Sequence, residues 1–229
     1  MTKLAHCDRL ARIYGSGDNE VVAVYDVVCT VAAGDRIAIT GPSGSGKSTL
    51  LHLMGGLDTP TAGVVTWPGL PGPPADHPGL VGFVFQAPSL IATLDVVENV
   101  ALPLLIAGTA EAESVRRAGA ALDELDVGDL ADRLPTELSG GQAQRVAVAR
   151  VLAARPRLIL ADEPTAQLDP VHRDLVTDTL LAVSEQLGAG LVVATHDPIV
   201  AGRFPLRWHM RDGCLTDGVP VPAGGAAGC

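Results

Sequence analysis

The stretch Gly41-Pro42-Ser43-Gly44-Ser45-Gly46-Lys47-Ser48-Thr49 fills every fixed position of the phosphate-loop pattern G-x-x-x-x-G-K-[ST]. An apolar, strand-like run over 35–40 precedes it, and a helix-like run over 47–56 follows. The glycines allow backbone N–H groups to wrap phosphate oxygens, and the positive end of the following helix faces the same anion. This context predicts a phosphate-binding site rather than an ordinary glycine-rich turn. Lys47 is expected to reach the β- and γ-phosphates, and Ser48 to bind Mg²⁺ through its hydroxyl.

Length and composition fit one large globular domain. The chain has 229 residues, 47% of them hydrophobic and 18% charged, and its net charge is −10 at pH 7. This acidic balance argues against a nucleic-acid partner, which normally requires a basic surface. The most apolar stretch, Val100 to Ala107, contains Pro103 and is far shorter than the ~20 residues that a membrane span needs. Any role at a membrane is therefore expected to come through a partner chain.

The rest of the chain alternates strand-like and helix-like segments. Apolar residues at helical spacing over 95–126 predict two helices that form an insert rather than further β/α layering. Residues 80–85 predict a buried strand that ends at Gln86, and the Pro- and Gly-rich end, 218–229, predicts a disordered tail. Further strands are predicted at 3–13, 20–33, 35–40, 63–67, 158–162 and 191–195, and further helices at 47–56, 140–154 and 170–187.

Two adjacent acids, Asp162 and Glu163, follow the continuous apolar run 158–161. An aspartate at the carboxyl end of a buried strand beside a phosphate loop is expected to hold Mg²⁺, usually through water. Glu163 is then placed to polarise an attacking water as a general base. The alternative is a pair of acids in a solvated turn, which the apolar strand and the phosphate loop together disfavour.

A second anion-binding signal lies in Leu138-Ser139-Gly140-Gly141-Gln142, just before a predicted helix. Ser139 occupies the N-cap position, and the two glycines leave free N–H donors at the start of the helix. Since the loop over 41–49 already serves one phosphate group, this site is expected to serve another.

The run over 138–142 closely resembles the signature motif of the nucleotide-binding subunits of ATP-binding cassette (ABC) transporters, and it matches at every position. The resemblance covers about residues 3–217, and the other family motifs follow in the right order. A lone His or Gln is usually structural, but six motifs in register are specific. Four of the matching residues lie outside the stretches described above. They are Tyr14 for the aromatic that stacks on adenine, Gln86 for the Q-loop, Asp169 for the D-loop 166–169, and His196 for the switch histidine.

The resemblance implies an α/β fold: a P-loop NTPase core with a mixed sheet, an N-terminal antiparallel β subdomain and an inserted helical subdomain over about 87–137. It places these in a single domain, 1–217, that binds ATP and Mg²⁺. Gln86 would sense the γ-phosphate and help to bind Mg²⁺ with Ser48 and Asp162, while His196 would hold the reactive geometry beside Glu163. The implied nucleotide-binding residues are Tyr14, Gly41, Pro42, Ser43, Gly44, Ser45, Gly46, Lys47, Ser48, Thr49, Ser139, Gly140, Gly141, Gln142 and Asp169.

In this family the signature of one subunit closes over the ATP held by the other. The resemblance therefore implies a head-to-tail dimer, expected to be a homodimer, with two ATP molecules at the interface. Asp169 would couple the two sites across that dimer.

Two stretches, 55–63 and 93–104, look like the ABC subgroup that serves lipoprotein-releasing, macrolide-exporting and cell-division permeases. In the family this region receives the permease's cytoplasmic coupling helix, so the partner surface is expected on 86–105. The protein would then sit at the cytoplasmic face of the cell membrane. The short, proline-rich stretch 68–79 departs from this subgroup, whose members often carry a longer basic helix there.

These matches leave two functions open. In one, an ATPase subunit drives a separate export or lipoprotein-releasing permease by ATP-dependent dimer closure. In the other, a cell-division-type ATPase regulates a membrane partner without moving a solute. A DNA-organising ATPase would need a long coiled-coil insert, and residues 50–137 hold no heptad run. The transported substrate and the permease are not specified by these patterns.

Overall fold

The computed structural model describes residues 1–217, so the tail predicted to be disordered, 218–229, lies outside the described residues. The strands are β1 (Lys3–Tyr14), β2 (Val21–Ala32), β3 (Arg36–Thr40), β4 (Ala62–Thr66), β5 (Val81–Val84), β6 (Leu158–Asp162), β7 (Gly190–Ala194), β8 (Leu206–Arg211) and β9 (Cys214–Asp217). The helices are α1 (Lys47–Met54), α2 (Val96–Ile106), α3 (Glu111–Asp123), α4 (Gly140–Ala154), α5 (Pro170–Leu187) and the single turn α6 (Pro198–Ala201).

The strands form two sheets. A three-stranded antiparallel sheet has the order β2-β1-β4, and a six-stranded sheet has the order β5-β6-β7-β3-β8-β9. In the larger sheet β5, β6, β7, β3 and β8 are parallel, and β9 runs antiparallel to β8. The mixed sheet, the N-terminal antiparallel sheet and the inserted helices confirm the predicted fold class. Because parallel strands point the same way, the segments that follow β3, β5, β6 and β7 meet at one edge.

Alternate residues of the central strands face two different apolar layers. On β6, Ile159 packs with the cluster that contains α2–α5, whereas Leu158 and Leu160 pack with α1 and the small sheet. On β7, Val193 packs with the cluster that contains α2–α5, and Val192 packs with α1 and the small sheet. The large sheet is thus buried on both faces, which explains why its strands are continuous apolar runs in the sequence.

The buried side chain of Asn99 organises the loop that leads into α2. Its Oδ1 accepts from the Ile91 amide at 2.7 Å, and its Nδ2 donates to the carbonyls of Ile91, Leu94 and Asp95 at 2.9–3.0 Å. Asn99 is only 1% exposed. One side chain therefore contacts one amide and three carbonyls of this segment. The Ile91 and Asp95 carbonyls also accept from the amides of Leu94 and Asn99.

We expect Asn99→Ala to lower the free energy of unfolding by about 2–4 kcal/mol, because it leaves one amide and three carbonyls without this partner. Urea unfolding followed by circular dichroism measures the loss. Glu98→Ala is the matched control, since among residues 1–217 the Glu98 carboxylate accepts from the exposed Asp95 amide alone, and it should cost about 1 kcal/mol or less. Equal losses in the two variants would contradict the role of Asn99.

Two features of the large sheet differ from the sequence-based expectation. The strand over 80–85, expected to be buried, is the edge strand β5, in which only Gly82 and Val84 are buried. Its other side chains are half-buried because β6 is its single neighbour in the sheet. The strands β8 and β9 were not predicted, because the Arg and His residues of β8 interrupt its apolar pattern.

Candidate nucleotide-binding site

The phosphate loop joins the end of β3 to the start of α1. Gly41 and Gly46 have φ angles of 147° and 98°, values that residues other than glycine rarely adopt. A Cβ at Gly41 would lie 2.2 Å from the Met210 carbonyl oxygen, and one at Gly46 would lie 2.1 Å from that of Ala23. The backbone can therefore take this path only with glycine at both positions.

Lys47 begins α1 with its ammonium group turned back onto the loop. Its Nζ donates to the carbonyls of Gly41 and Pro42, each at 2.9 Å, and the residue is 7% exposed. The cation and the positive end of α1 thus act on the same small volume. This arrangement suits an anion with several oxygens.

A cavity of about 490 Å³ opens over this loop. The end of β6 and the segments that follow β5, β6 and β7 contribute Gln86, Asp162, Glu163 and His196 to its wall, so the structure brings these predicted residues together. From the predicted phosphate loop, the cavity is lined by Ser43, Gly44, Gly46, Lys47, Ser48 and Thr49. The other predicted loop residues, Gly41, Pro42 and Ser45, do not line the cavity.

Asp162 is a buried acid with spare binding capacity. Burial raises the pKa of its carboxyl, an effect that a hydrogen bond from Ser48 partly opposes. Its Oδ1 is buried and has no hydrogen-bond partner among the described residues. Asp162 and Ser48 both line the cavity. A carboxylate and a hydroxyl are ligands that suit Mg²⁺, so this pair fits the predicted metal.

Glu163 and His196 form a close pair at the ends of neighbouring strands. The Nδ1 atom of His196 lies 2.9 Å from Oε1 of Glu163, and the Glu163 side chain is only 12% exposed. Glu163 has a φ of 47°, and its amide donates to the Ala194 carbonyl at 2.9 Å. This left-handed conformation costs free energy for a residue other than glycine, and the strand contact holds it in place.

The signature residues do not line the cavity of their own chain. Ser139 caps α4 and accepts from the Gln142 amide at 3.2 Å, while Gln142 Oε1 accepts from the Ser139 amide at 2.8 Å. A Cβ at Gly140 would lie 3.0 Å from the Gln167 side chain, which places the signature against the D-loop segment. The phosphate loop and the signature are thus two separate surfaces of one chain.

Asp169 is also away from the cavity wall, and its carboxylate caps α5. It accepts from the amides of Val171 and His172 at 3.0 and 3.1 Å, and His172 Nδ1 lies 2.5 Å from its Oδ2. The hydrogen bond with the His172 ring lowers the pKa of this carboxyl. The predicted D-loop residue thus fixes the start of α5.

The helix that carries the signature also holds the segment around Gln86. Gln144 Nε2 donates to the Phe85 carbonyl at 3.3 Å, and Arg150 donates to the carbonyls of Pro88 and Ser89 at 3.2 and 2.9 Å. The signature surface and the wall of the cavity are therefore mechanically connected through α4.

Three cavity residues, Val21, Val22 and Ala23, were not predicted from the sequence. Tyr14 is not part of the cavity wall, but it pairs directly with Val21 across the antiparallel ladder. Residues opposite each other in such a ladder project to the same face, so the Tyr14 ring stands at the rim. Only the register of β1 against β2, which the sequence does not give, could have identified the three residues.

A phosphate loop on a central strand, a buried acid beside it and a Glu–His pair over it define a P-loop nucleotide hydrolase. The family model for ABC transporters matches residues 24–166 of the chain. The chain is 39% identical over 222 residues to the lipoprotein-releasing system ATP-binding protein LolD of Shewanella denitrificans, a match that spans 94% of this chain and 95% of that protein. The chain belongs to the ABC transporter family and is an ATPase of that family.

Solved structures agree with this assignment. The dimeric ATP-binding cassette MJ0796, in a post-hydrolysis state with ADP and Pi, is 34% identical and superposes with a TM-score of 0.87 over 93% of this chain and 97% of that one. The protein cbiO1 of Clostridium perfringens, part of the ABC transporter complex cbiONQ, is 27% identical with a TM-score of 0.78 over 94% of this chain and 88% of that one. Within residues 1–217, no helix has the length and apolarity that crossing a bilayer requires.

Proposed function

We propose that this ATPase drives a separate membrane permease of the lipoprotein-releasing or exporting type. The observation that carries the proposal is the 39% identity to a lipoprotein-releasing system protein over nearly the full length of both chains. The stretches 55–63 and 93–104, which resemble the same subgroup, support it. In this role the protein would work at the cytoplasmic face of the membrane.

The proposed chemistry assigns a task to each group in the cavity. The loop amides and Lys47 would bind the β- and γ-phosphates, and Tyr14 would stack on the adenine. Ser48, Asp162 and Gln86 would hold Mg²⁺, which when bound offsets charge on the phosphate oxygens. Glu163 would take a proton from the attacking water, and His196 would hold the carboxylate and the γ-phosphate in register.

The separation of the signature from the cavity supports a head-to-tail dimer. In that dimer, Ser139, Gly140, Gly141 and Gln142 of one chain would close over ATP in the cavity of the other, so each site would take residues from both chains. ATP then favours the closed dimer and hydrolysis releases it. The dimeric state of the MJ0796 cassette supports this assembly.

An apolar groove beside Gln86 supports a permease contact. It has a volume of about 320 Å³ and lies between the edge strand β5 and α2, lined by Phe83, Phe85, Leu102, Pro103 and Ile106. Ile106 is 65% exposed, an unusual state for an isoleucine beside other apolar groups. A cytoplasmic segment of the permease would fill this groove and contact the segment after Gln86, which lies within the predicted partner surface 86–105.

An affinity capture from detergent-solubilised cells tests the proposal. The Glu163→Gln variant, purified with ATP and read by mass spectrometry, is expected to recover a polytopic membrane protein with a large extracytoplasmic domain. Adding Ile106→Asp should remove that protein without changing ATP binding. The matched control is Val115→Asp on the neighbouring helix, since Val115 is 46% exposed and lies outside the groove.

Recovery of only soluble proteins, from a preparation in which the ATP-bound dimer is intact, would contradict the transport role. Equal recovery with Ile106→Asp and Val115→Asp would place the permease contact elsewhere. If a membrane partner is recovered, reconstitution with it in vesicles separates transport from regulation: release or movement of a substrate on ATP addition supports the transport role.

A further inference from the structure

Three side chains join the end of β1 to the turn that follows α1. Asp58 accepts from the Tyr14 hydroxyl at 2.7 Å and from Arg12 Nε at 2.9 Å, both through Oδ2. Arg12 Nη2 lies 2.9 Å from the other oxygen, Oδ1, so the arginine contacts the carboxylate with two nitrogens. Such a paired contact fixes orientation as well as distance.

Arg12 also covers one face of the Tyr14 ring. Its guanidinium carbon lies 4.5 Å from the ring centre, within the range of a cation–π contact. The ring is thereby held at two places, its hydroxyl by Asp58 and one face by Arg12. A planar ligand can stack only on the opposite face.

The carboxylate that anchors this arrangement is charged at neutral pH. Burial opposes ionisation of Asp58, but hydrogen bonds from Tyr14, the Thr59 amide and Arg12 outweigh it and lower the pKa of the carboxyl. The same turn is tied to β1 through Thr61, whose amide donates to the Ala11 carbonyl at 2.8 Å. The backbone and the side chains thus hold the turn and the strand in one relative position.

We propose that Asp58 and Arg12 are positioning residues for the nucleotide base. They hold the Tyr14 ring at the rim of the cavity, with its free face ready to receive adenine. A base that stacks on a ring already fixed in place loses less free energy to ordering that ring. The proposal rests on the proposed role of Tyr14, and it gives the stretch 55–63 a function in base recognition.

Steady-state ATPase kinetics of the purified full chain test this inference. Asp58→Ala is expected to raise the KM for ATP about three- to tenfold with kcat unchanged, because base stacking weakens while the phosphates and the reacting atoms keep their contacts. The inhibition constant of inorganic tripolyphosphate, which has no base, should stay the same. Asp58→Asn keeps the shape but removes the charge facing Arg12, and it should give a smaller rise.

A double-mutant cycle with Tyr14→Ala tests whether Asp58 affects the KM for ATP through the Tyr14 ring. In the Tyr14→Ala background, Asp58→Ala should have no further effect on KM. Asp8→Ala is the matched control, since Asp8 is an exposed carboxylate on the same strand that contacts Arg9; it should leave KM at the wild-type value.

Three results would overturn the positioning role: an unchanged KM in Asp58→Ala, a parallel rise in the tripolyphosphate inhibition constant, or an effect of full size in the Tyr14→Ala background. Failure of the underlying role of Tyr14 is distinguishable from these, because Tyr14→Ala alone would then leave the KM for ATP at the wild-type value.

Discussion

Glu163→Gln is expected to lower steady-state ATP turnover by about 10²-fold or more while ATP stays bound, because the amide cannot accept a proton from the attacking water. The carboxylate lies in the cavity wall, 2.9 Å from His196 Nδ1, and is held there by the left-handed backbone of Glu163. Since Gln keeps the shape of the side chain, the phosphate contacts of Lys47 and the loop should remain. The variant should therefore accumulate as an ATP-bound dimer.

A steady-state ATPase assay measures the turnover, and size-exclusion chromatography with ATP detects the dimer. Glu185→Gln is a matched control, because it makes the same substitution at an exposed carboxylate on α5 whose ion-pair partner is Arg36. Its turnover should equal that of the wild type. Wild-type turnover in Glu163→Gln would show that another group accepts the proton.

Lys47→Ala is expected to weaken ATP binding itself by about 30-fold or more, as the loss of a charge-assisted contact of ~2 kcal/mol or more predicts. The ammonium group is fixed within the loop by the carbonyls of Gly41 and Pro42. Calorimetric titration with a non-hydrolysable ATP analogue measures the change. Unchanged affinity would contradict the assignment of this loop to the phosphates.

The low lysine content of the chain allows a matched control for Lys47→Ala and a second measurement of the same prediction. The chain has only two lysines, Lys3 and Lys47. Lys3 is exposed at the start of β1, so Lys3→Ala should leave the affinity unchanged. ATP should also protect Lys47, but not Lys3, from amine-reactive labelling followed by mass spectrometry. Equal protection of both lysines would indicate a general effect on the protein rather than occupancy of the loop.

The sequence predicted the phosphate loop because glycine, lysine and hydroxyl residues at fixed spacing have few other uses between a strand and a helix. Asp162 and Glu163 were also predictable, since an apolar run that stops at two acids indicates the end of a buried strand. Their meeting with Gln86 and His196 follows from parallel pairing, in which Asp162 lies opposite Ala194 and Val84 opposite Ala161.

Features that depend on register or on alternating exposure were not predictable in the same way. The sequence does not distinguish the cavity residues Val21 and Val22 from other β-branched strand residues. Only their pairing with Tyr14 and Ile13 places them near the site. The strand β8 carries a period-two pattern, with buried Trp208 and Met210 between exposed or half-buried basic residues. These basic residues leave it without the continuous apolar run from which β6 and β7 were predicted. The contact of Asp58 with Tyr14 joins residues that are 44 positions apart, a distance that no local pattern spans.

The position of β5 at the edge of the large sheet bears on how easily the Gln86 segment moves. The strand has four residues and a single neighbour, β6, so one short ladder of hydrogen bonds attaches the segment to the sheet. Opening that ladder costs much less free energy than opening the central strands β3 or β7, which are paired on both sides. Amide hydrogens of β5 should accordingly exchange with solvent through local fluctuations, whereas those of β7 should exchange only on global unfolding. The part of the cavity wall nearest the proposed partner is thus also the part of the sheet that is least costly to displace.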